Sequence, residues 1–263
     1  MTARPDIRLT GVSKSFGAAG RRVDAVDTVD LTLAGGQMTA LVGPSGCGKS
    51  TLLRLIAGLD RPSTGTISIG GESPDDLRRR AGLAVAFQDA ALLPWRTVES
   101  NIALGRALAR RPRDPDGIRD LIARVGLSGF ERRRPAELSG GMRQRAAIAR
   151  ALAGEPELLL LDEPFAAVDA LTRDRLNAEL PPLWEARGAT SVLVTHSVAE
   201  AVRLSDRVLV LTPRPASVAA DIAIPLAHPR DAKVLASDAY RDLCAQVTEA
   251  LRDHQFPENL AAQ

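Results

Sequence analysis

A glycine-rich loop between an apolar run and a helical pattern is the feature that most restricts how this chain can fold. The loop consists of Gly43, Pro44, Ser45, Gly46, Cys47, Gly48, Lys49, Ser50 and Thr51. The apolar run 38–42 leads into it, and apolar residues at helical spacing follow over 52–56. Glycines let main-chain N–H groups approach an anion, and the N-terminus of the next helix adds positive charge. The stretch therefore predicts a phosphate-binding loop between a buried strand and a helix.

Two side chains of this loop carry its predicted chemistry. Lys49 is expected to reach the β- and γ-phosphates of a nucleoside triphosphate, and the Ser50 hydroxyl to bind Mg²⁺. The chain has 34 basic residues, of which only Lys14, Lys49 and Lys233 are lysines. A lysine at this point, in a chain that otherwise uses arginine, indicates that a compact ammonium group is needed among phosphate oxygens.

Other predicted strands end in polar residues. Apolar runs end at Gln88, at the pair Asp162 and Glu163, and at His196. Because ligands bind at the carboxyl ends of the strands in open α/β sheets, we expect these side chains beside the phosphate loop. Asp162 and Gln88 are then candidates for Mg²⁺, and Glu163 for the base that accepts a proton from an attacking water. His196 is a candidate for contact with the γ-phosphate or that water, whereas Gln88 as a solvated loop residue and His196 as a structural residue are the alternatives.

A capped helix and an aromatic residue complete the predicted nucleotide site. Ser139, followed by Gly140 and Gly141, opens a helical pattern over 142–152, which gives a second helix N-terminus suited to an anion. Phe16 stands just before a glycine-rich turn in a chain with only 3% aromatic residues. It is predicted either to stack on a flat base or to pack within its loop.

Composition and charge limit the class of protein. The length of 263 residues suits one α/β domain with a small subdomain, and a net charge of +2 is too small to indicate nucleic-acid binding. Cys47 and Cys244 have no metal-ligand spacing, so a reducing compartment is expected. The start of the chain is polar, and no apolar run approaches the roughly 20 residues of a spanning helix. We expect a soluble protein that another subunit must hold if it works at a membrane.

The remaining regions are predicted from their patterning. The segment of about 90–140 lacks strand-like runs and indicates a small helical subdomain inserted into the sheet domain, whereas 83–87 reads as another buried strand. The region of about 216–263 predicts a strand, a closing amphipathic helix and a polar tail. His228 and His254 in that region are interpreted as surface residues.

Together the motifs resemble those of the ATP-binding subunit of an ABC transporter over 7–211, most of the chain. The most diagnostic is Leu138-Ser-Gly-Gly-Met with Gln144 and Arg145, a signature peculiar to that superfamily. By this resemblance the motifs are Walker A at 43–51, Walker B at 158–163, the Q-loop at Gln88, the D-loop at 166–169, the switch histidine at His196 and the adenine-stacking aromatic at Phe16. Met142, Val168 and Phe16 depart from the commonest residues at their positions, but none of the three removes a catalytic group.

The resemblance implies a fold and an activity. The expected fold is an α/β phosphate-loop NTPase core of ABC type with an antiparallel β subdomain and the inserted helical subdomain, all within one domain over 5–263. The expected enzyme is an ATPase that uses ATP and Mg²⁺, with Lys49, Gln88, Glu163 and His196 as catalytic residues. Two subunits are expected to form a homodimer, in which the signature helix of one caps the γ-phosphate bound by the other.

A narrower likeness concerns transport. The chain resembles the nitrate/sulfonate/taurine/bicarbonate group of bacterial importers in a few short stretches, which are 87–89, 92–98, Asn101, 199–202 and 204–207. This implies an integral membrane permease, an indirect partner in a periplasmic or lipid-anchored substrate-binding protein, and a place at the cytoplasmic face of the inner membrane. Leu92, Leu93 and Trp95 are then expected to line a groove for the permease, with burial in the subdomain core as the alternative. An importer of another solute, such as a pyrimidine precursor, a non-transport ABC ATPase and a degenerate ATP-dependent dimeriser are the other hypotheses.

Overall fold

The computed structural model describes residues 4–17, 22–166, 168–185 and 188–255. In these ranges the strands are β1 (Ile7–Phe16), β2 (Val23–Leu33), β3 (Met38–Val42), β4 (Thr64–Ile69), β5 (Leu83–Ala86), β6 (Leu158–Asp162), β7 (Thr190–Val194), β8 (Arg207–Leu211) and β9 (Val218–Ala223). The helices are α1 (Lys49–Ile56), α2 (Pro74–Arg79), α3 (Val98–Leu108), α4 (Pro115–Arg124), α5 (Gly140–Ala153), α6 (Ala170–Glu179), α7 (Pro181–Glu185), α8 (Val198–Leu204), α9 (Ala232–Leu235) and α10 (Asp238–Gln255).

The described strands form two sheets with different pairing. The larger sheet has the order β5-β6-β7-β3-β8-β9, in which neighbours are parallel except for the antiparallel pair β8 and β9. The smaller sheet is antiparallel, with the order β2-β1-β4. Because β3, β5, β6 and β7 run in the same direction, their carboxyl ends lie at one edge of the larger sheet. This edge carries the phosphate loop and the predicted strand-end side chains.

The leucine run of β6 shows that the larger sheet is covered on both faces. Leu159 and Leu161 pack into a core cluster with residues of α3, α4, α5 and α8, whereas Leu158 and Leu160 pack with α1 and the antiparallel sheet. Alternate residues of a strand point to opposite faces, so a strand covered twice requires an uninterrupted apolar run. The prediction of a strand buried on both faces is confirmed, since all four leucines are buried.

The segment predicted to be helical contains α3 and α4, and α3 packs closely on α5. A Cβ at Gly105 in α3 would lie 2.0 Å from the main-chain oxygen of Arg150 in α5, so this crossing requires glycine. Leu92 packs against the core cluster of these helices, but Trp95 is 68% exposed. The sequence left open whether Leu92, Leu93 and Trp95 line a groove or lie in the subdomain core. The exposure of Trp95 excludes the core for this residue.

One predicted strand is less buried than expected. Leu83, Ala84 and Val85 of β5 are only partly buried, although the apolar run predicted a buried strand. The physical reason is that β5 lies at the edge of the sheet and pairs only with β6 among the described strands. An edge strand leaves one side open to solvent or to a partner.

The interpretation of His228 as a surface residue is wrong. Its ring nitrogens lie 3.2 Å from a carboxylate oxygen of Glu185 and 3.2 Å from Oδ1 of Asp206, and the side chain is half-buried. Nothing in the local sequence indicated this, because the two carboxylates come from distant segments. His254 is exposed, as predicted.

Some expectations concern residues that are not described. The polar tail at 256–263 and Ala167 of the D-loop lie outside the described ranges. Among the helices of the described residues, none combines the length and the apolar character that crossing a membrane would need.

Candidate active site

The phosphate loop connects β3 to α1, as the sequence predicted. Gly46 and Gly48 have φ angles of 72° and 127°, in the region that favours glycine. A Cβ at Gly48 would lie 2.6 Å from the main-chain oxygen of Ala25 in β2, so a side chain there would collide with the antiparallel sheet. The glycines therefore allow both the turn and the close approach of the two sheets.

Lys49 is the first residue of α1, and its side chain turns back into the loop. The ammonium donates hydrogen bonds to the main-chain oxygens of Gly43 at 2.8 Å and Pro44 at 2.9 Å, and it lies 3.9 Å from Sγ of Cys47. The residue is only 6% exposed. An ammonium group has three donors, and because the third is paired only with the weak acceptor Sγ of Cys47, it remains able to donate to an anion. A buried cation is thus fixed at the loop where a phosphate group would lie.

Ser50 and Asp162 form a pair of oxygen ligands beside the loop. The Ser50 hydroxyl donates to Oδ1 of Asp162 at 3.0 Å. Burial raises the pKa of Asp162, the Ser50 hydrogen bond opposes this, and the neighbouring Glu163 charge adds to it. A buried carboxylate of this kind is stabilised by a cation, and hydroxyl and carboxylate oxygens are the ligands that Mg²⁺ prefers. The residues present therefore fit a magnesium ion.

Two side chains at strand ends lie beside the carboxylate of a third, Glu163. Oε2 of Glu163 lies 3.5 Å from Nε2 of Gln88 and 3.5 Å from Nδ1 of His196. The Glu163 main chain has φ 46°, and its N–H donates to the Val194 oxygen of β7 at 2.9 Å, so its main chain is held directly after β6. The structure thus brings Glu163 together with a residue 75 positions before it and a residue that follows the next strand of the sheet.

Ser139 caps the signature helix as predicted, although this helix starts before the predicted residue 142, and the Phe16 side chain is exposed. The Ser139 hydroxyl accepts a hydrogen bond from the Met142 N–H at 3.2 Å and caps α5, which starts at Gly140. Phe16 ends β1 and is 43% exposed, with the Lys14 ammonium 4.8 Å from the ring centroid. Among the hydrogen bonds of the described residues, neither Ser139 nor Phe16 is joined to the Glu163 cluster.

Sequence reasoning missed residues that hold the loops in place. Gln144 of α5 donates to the main-chain oxygen of Phe87 at 2.8 Å, directly before Gln88. The Arg214 guanidinium donates to the oxygen of Gly46 at 2.6 Å through Nη2. Gln144 stands out only as part of the signature, and Arg214 has no local signal, because it follows a strand with no motif of its own.

The fold and this site define a class of protein. A phosphate loop after a central parallel strand, with a buried aspartate and a glutamate at the end of a parallel strand nearby, is the arrangement of a phosphate-loop nucleoside triphosphatase. The family profile described as "ABC transporter" matches residues 26–166. The chain belongs to this family.

Relatives agree over most of the chain. It is 45% identical to an uncharacterized ABC transporter ATP-binding protein of Methanocaldococcus jannaschii, over 86% of this chain and 84% of that protein. It is 46% identical to an aliphatic sulfonates import ATP-binding protein of Streptomyces avermitilis, over 96% of each chain. A protein of the same description from Burkholderia lata is 48% identical over 85% of this chain and 66% of its own length.

Solved structures give the same result. A dimeric, post-hydrolysis ATP-binding cassette bound to ADP and Pi is 29% identical, with a TM-score of 0.76, and the match covers 84% of this chain and all of that one. A dimeric bacterial ABC transporter cassette is 30% identical with a TM-score of 0.75 over the same shares. The resemblance and the fold class predicted from the motifs are confirmed. The chain is an ABC-type cassette that binds and hydrolyses ATP.

Proposed function

We propose that this cassette energises the import of a small anion through a separate membrane permease. The nitrate/sulfonate/taurine/bicarbonate type of solute is supported by the relatives described as aliphatic sulfonate import proteins. The observation that carries the proposal is the convergence of Gln88 and His196 on Oε2 of Glu163, beside the Ser50–Asp162 pair. Without this cluster the chain would lack the proposed base of ATP hydrolysis and its two neighbouring nitrogen groups.

Each residue of the site has a proposed part in hydrolysis. Glu163 accepts a proton from the attacking water, because its carboxylate is the acceptor at the centre of the cluster. His196 and Gln88 orient that water and the γ-phosphate through their ring and amide nitrogens. Lys49 supplies a fixed positive charge to the β- and γ-phosphates.

The remaining contacts bind the nucleotide. The main-chain N–H groups of 43–51 receive the phosphates, and Phe16 stacks on the adenine. Ser139, Gly140 and Gly141 contact the γ-phosphate held by a second subunit, so the complete site requires a homodimer. The dimeric cassettes with which this chain aligns support this assembly.

Magnesium completes the proposed site. Ser50, Asp162 and Gln88 are the residues that would hold the ion, and all three present oxygen atoms. When bound, the ion neutralises charge on the phosphate oxygens. The chain's own contribution is to keep Asp162 buried and hydrogen-bonded next to the loop.

We further propose how the chain is organised for its partners. Residues 5–263 act as one ATPase domain, with about 90–140 as an inserted helical subdomain and about 216–263 as an extension. The exposed Trp95, with Leu92 and Leu93, contributes to the groove that receives the permease at the cytoplasmic face of the membrane. A substrate-binding protein delivers the anion to the permease and does not touch this chain.

The hydrolysis step is tested with Glu163→Gln. The variant keeps the shape of the side chain but cannot accept the proton, so turnover should fall at least about 100-fold while ATP binding remains. Size-exclusion chromatography with ATP should show a trapped dimer. Wild-type turnover of Glu163→Gln would exclude Glu163 as the base.

The transport role is tested in proteoliposomes. The chain is reconstituted with the permease and binding protein encoded beside it, and ATP turnover is measured with an alkanesulfonate, nitrate or a pyrimidine precursor. Stimulation by the alkanesulfonate or by nitrate supports the proposal. Stimulation by the pyrimidine precursor alone, or failure to bind any permease, would contradict it.

A further inference from the structure

A buried carboxylate that the proposed hydrolysis does not use lies behind His196. Glu200, in the first turn of α8, is 6% exposed, and it lines a small pocket together with Glu163, His196 and Arg173. A buried carboxylate is costly unless it has hydrogen-bond partners. The hydrogen bonds of the Glu200 carboxylate therefore indicate its role.

The partner of Glu200 is the residue that precedes His196. The Thr195 hydroxyl donates a hydrogen bond to Oε2 of Glu200, and Thr195 itself is 2% exposed. The same hydroxyl oxygen accepts the Ser197 N–H at 3.1 Å. The single hydrogen of the hydroxyl is used in the bond to Glu200, and its oxygen keeps lone pairs that can accept from Ser197. The hydrogen bonds thus run from the Ser197 N–H to the Thr195 hydroxyl, and from that hydroxyl to the Glu200 carboxylate, which accepts.

These hydrogen bonds join the residues on either side of His196 in the sequence to Glu200. Ser197 in turn caps α8, since its hydroxyl accepts the Glu200 N–H at 3.2 Å. Glu200 therefore holds both sequence neighbours of His196. The Glu200 carboxylate accepts from the Thr195 hydroxyl, and the Glu200 main-chain N–H donates to the Ser197 hydroxyl. Two bonds from one residue restrict the turn from which the His196 ring reaches Glu163.

We propose that Glu200 is a positioning residue, which through the Thr195 hydroxyl holds His196 at its distance from Glu163. The inference rests on the proposed role of His196 in hydrolysis. It assigns a function to the Ala199–Val202 stretch, which the sequence offered only as a family likeness. Glu200 acts as an acceptor in this arrangement, so an amide oxygen at the same position can replace it.

The test compares the turnover of four variants with the wild type. Thr195→Val and Glu200→Met each remove the bond between the two side chains, so kcat should fall about 10- to 100-fold, because displacement of a catalytic group by about 1 Å has effects of this size. KM for ATP should stay within about twofold, since the nucleotide-binding loop is not touched. The double variant should be no slower than the slower single variant, because both remove the same contact. Glu200→Gln, unlike Glu200→Met, should have a kcat within about threefold of the wild type, because the amide oxygen of glutamine accepts the same hydrogen bond.

Ser191→Ala is the matched control. Ser191 lies in β7, the strand that ends directly before Thr195, and its buried hydroxyl has no hydrogen-bond partner among the described residues. This variant should keep wild-type kcat. If Glu200→Met does not fold, Thr195→Val, which preserves the shape of the side chain, decides the question alone.

The outcomes separate this inference from the function on which it rests. Wild-type kcat in Thr195→Val, or losses that multiply in the double variant, would overturn it. His196→Ala is measured in parallel: if it retains wild-type turnover, the proposed role of His196 fails. If His196→Ala is impaired while Thr195→Val is not, only the positioning role of Glu200 fails.

Discussion

The side-chain amide of Gln144 donates a 2.8 Å hydrogen bond to the main-chain oxygen of Phe87, the residue immediately before Gln88. Gln144 is buried in α5, the helix that Ser139 caps. From the same helix, Arg150 donates to the oxygens of Ala91 at 2.7 Å and Ala90 at 3.0 Å. The helix that starts with the signature motif therefore also holds the loop that carries Gln88.

We predict that Gln144→Met slows hydrolysis more than it weakens ATP binding. The variant has a similar length but no donor, so the Phe87 oxygen loses its partner at a cost of about 1–3 kcal/mol, and the loop carrying Gln88 shifts. We expect kcat to fall several-fold with nucleotide affinity retained, as measured by steady-state kinetics and equilibrium titration. Arg124→Ala, which affects only an exposed ion pair with Asp120, is the control. Unchanged kcat in Gln144→Met would contradict the link between α5 and Gln88.

We predict that Phe16→Ala weakens ATP binding with little change in kcat. Stacking of a base on an aromatic ring is worth about 1–3 kcal/mol, which corresponds to a loss of affinity of about 10- to 100-fold. Phe16→Tyr keeps the ring and should bind ATP as the wild type does. The measurement is titration with ATP and with inorganic triphosphate. Equal losses for both ligands would show that Phe16 does not contact the base.

We predict that Asp162→Asn stabilises the nucleotide-free protein while abolishing hydrolysis. Burial raises the pKa of Asp162, so ionisation of this carboxylate opposes folding. The asparagine oxygen still accepts the Ser50 hydroxyl. Below the ordinary carboxyl pKa of about 3.9 both forms are neutral and the free energies of unfolding should agree. As the pH rises through the raised pKa, the variant should become the more stable, as measured by denaturant unfolding at several pH values. A less stable variant at neutral pH would contradict this explanation.

We predict that Asp206→Asn, in contrast to Asp162→Asn, lowers the free energy of unfolding. Burial opposes its ionisation, but hydrogen bonds with His228 and from the Met38 N–H hold the pKa of Asp206 below its ordinary value. The charged form therefore stabilises the fold above the ordinary carboxyl pKa, and this contribution is lost as the pH falls through the lowered pKa. We expect a loss of roughly 1–3 kcal/mol in the free energy of unfolding at neutral pH and a much smaller one in acid.

The controls for Asp206→Asn use the same unfolding measurement. Asp116→Asn removes an exposed carboxylate on α4 and should change the free energy of unfolding by less than about 0.5 kcal/mol. His228→Ala should reproduce part of the loss, because it leaves Asp206 and Glu185 without their shared partner. An equal loss at all pH values would show that the effect of Asp206 is not electrostatic.

Local sequence patterns were sufficient to predict the strands and helices that carry the site residues. Lys49 and Ser50 follow a buried strand within one contiguous motif, and the four leucines before Asp162 predict a strand covered on both faces. The Ser139 cap likewise depends on neighbours in sequence. Each of these features was predicted because the interactions that fix it lie within a few residues along the chain.

The sequence by itself therefore determined the phosphate loop, the strand ends and the class of chemistry. Only the tertiary structure decided that β5 is a partly buried edge strand, that His228 bridges Glu185 and Asp206, and that Gln144 holds the loop of Gln88. It also decided the hydrogen-bonded chain from Ser197 through Thr195 to Glu200. The physical reason is that hydrogen bonds and burial of these residues depend on the order of strands and the packing of helices. Such partners are brought together by the fold, so no local pattern of residues can encode them.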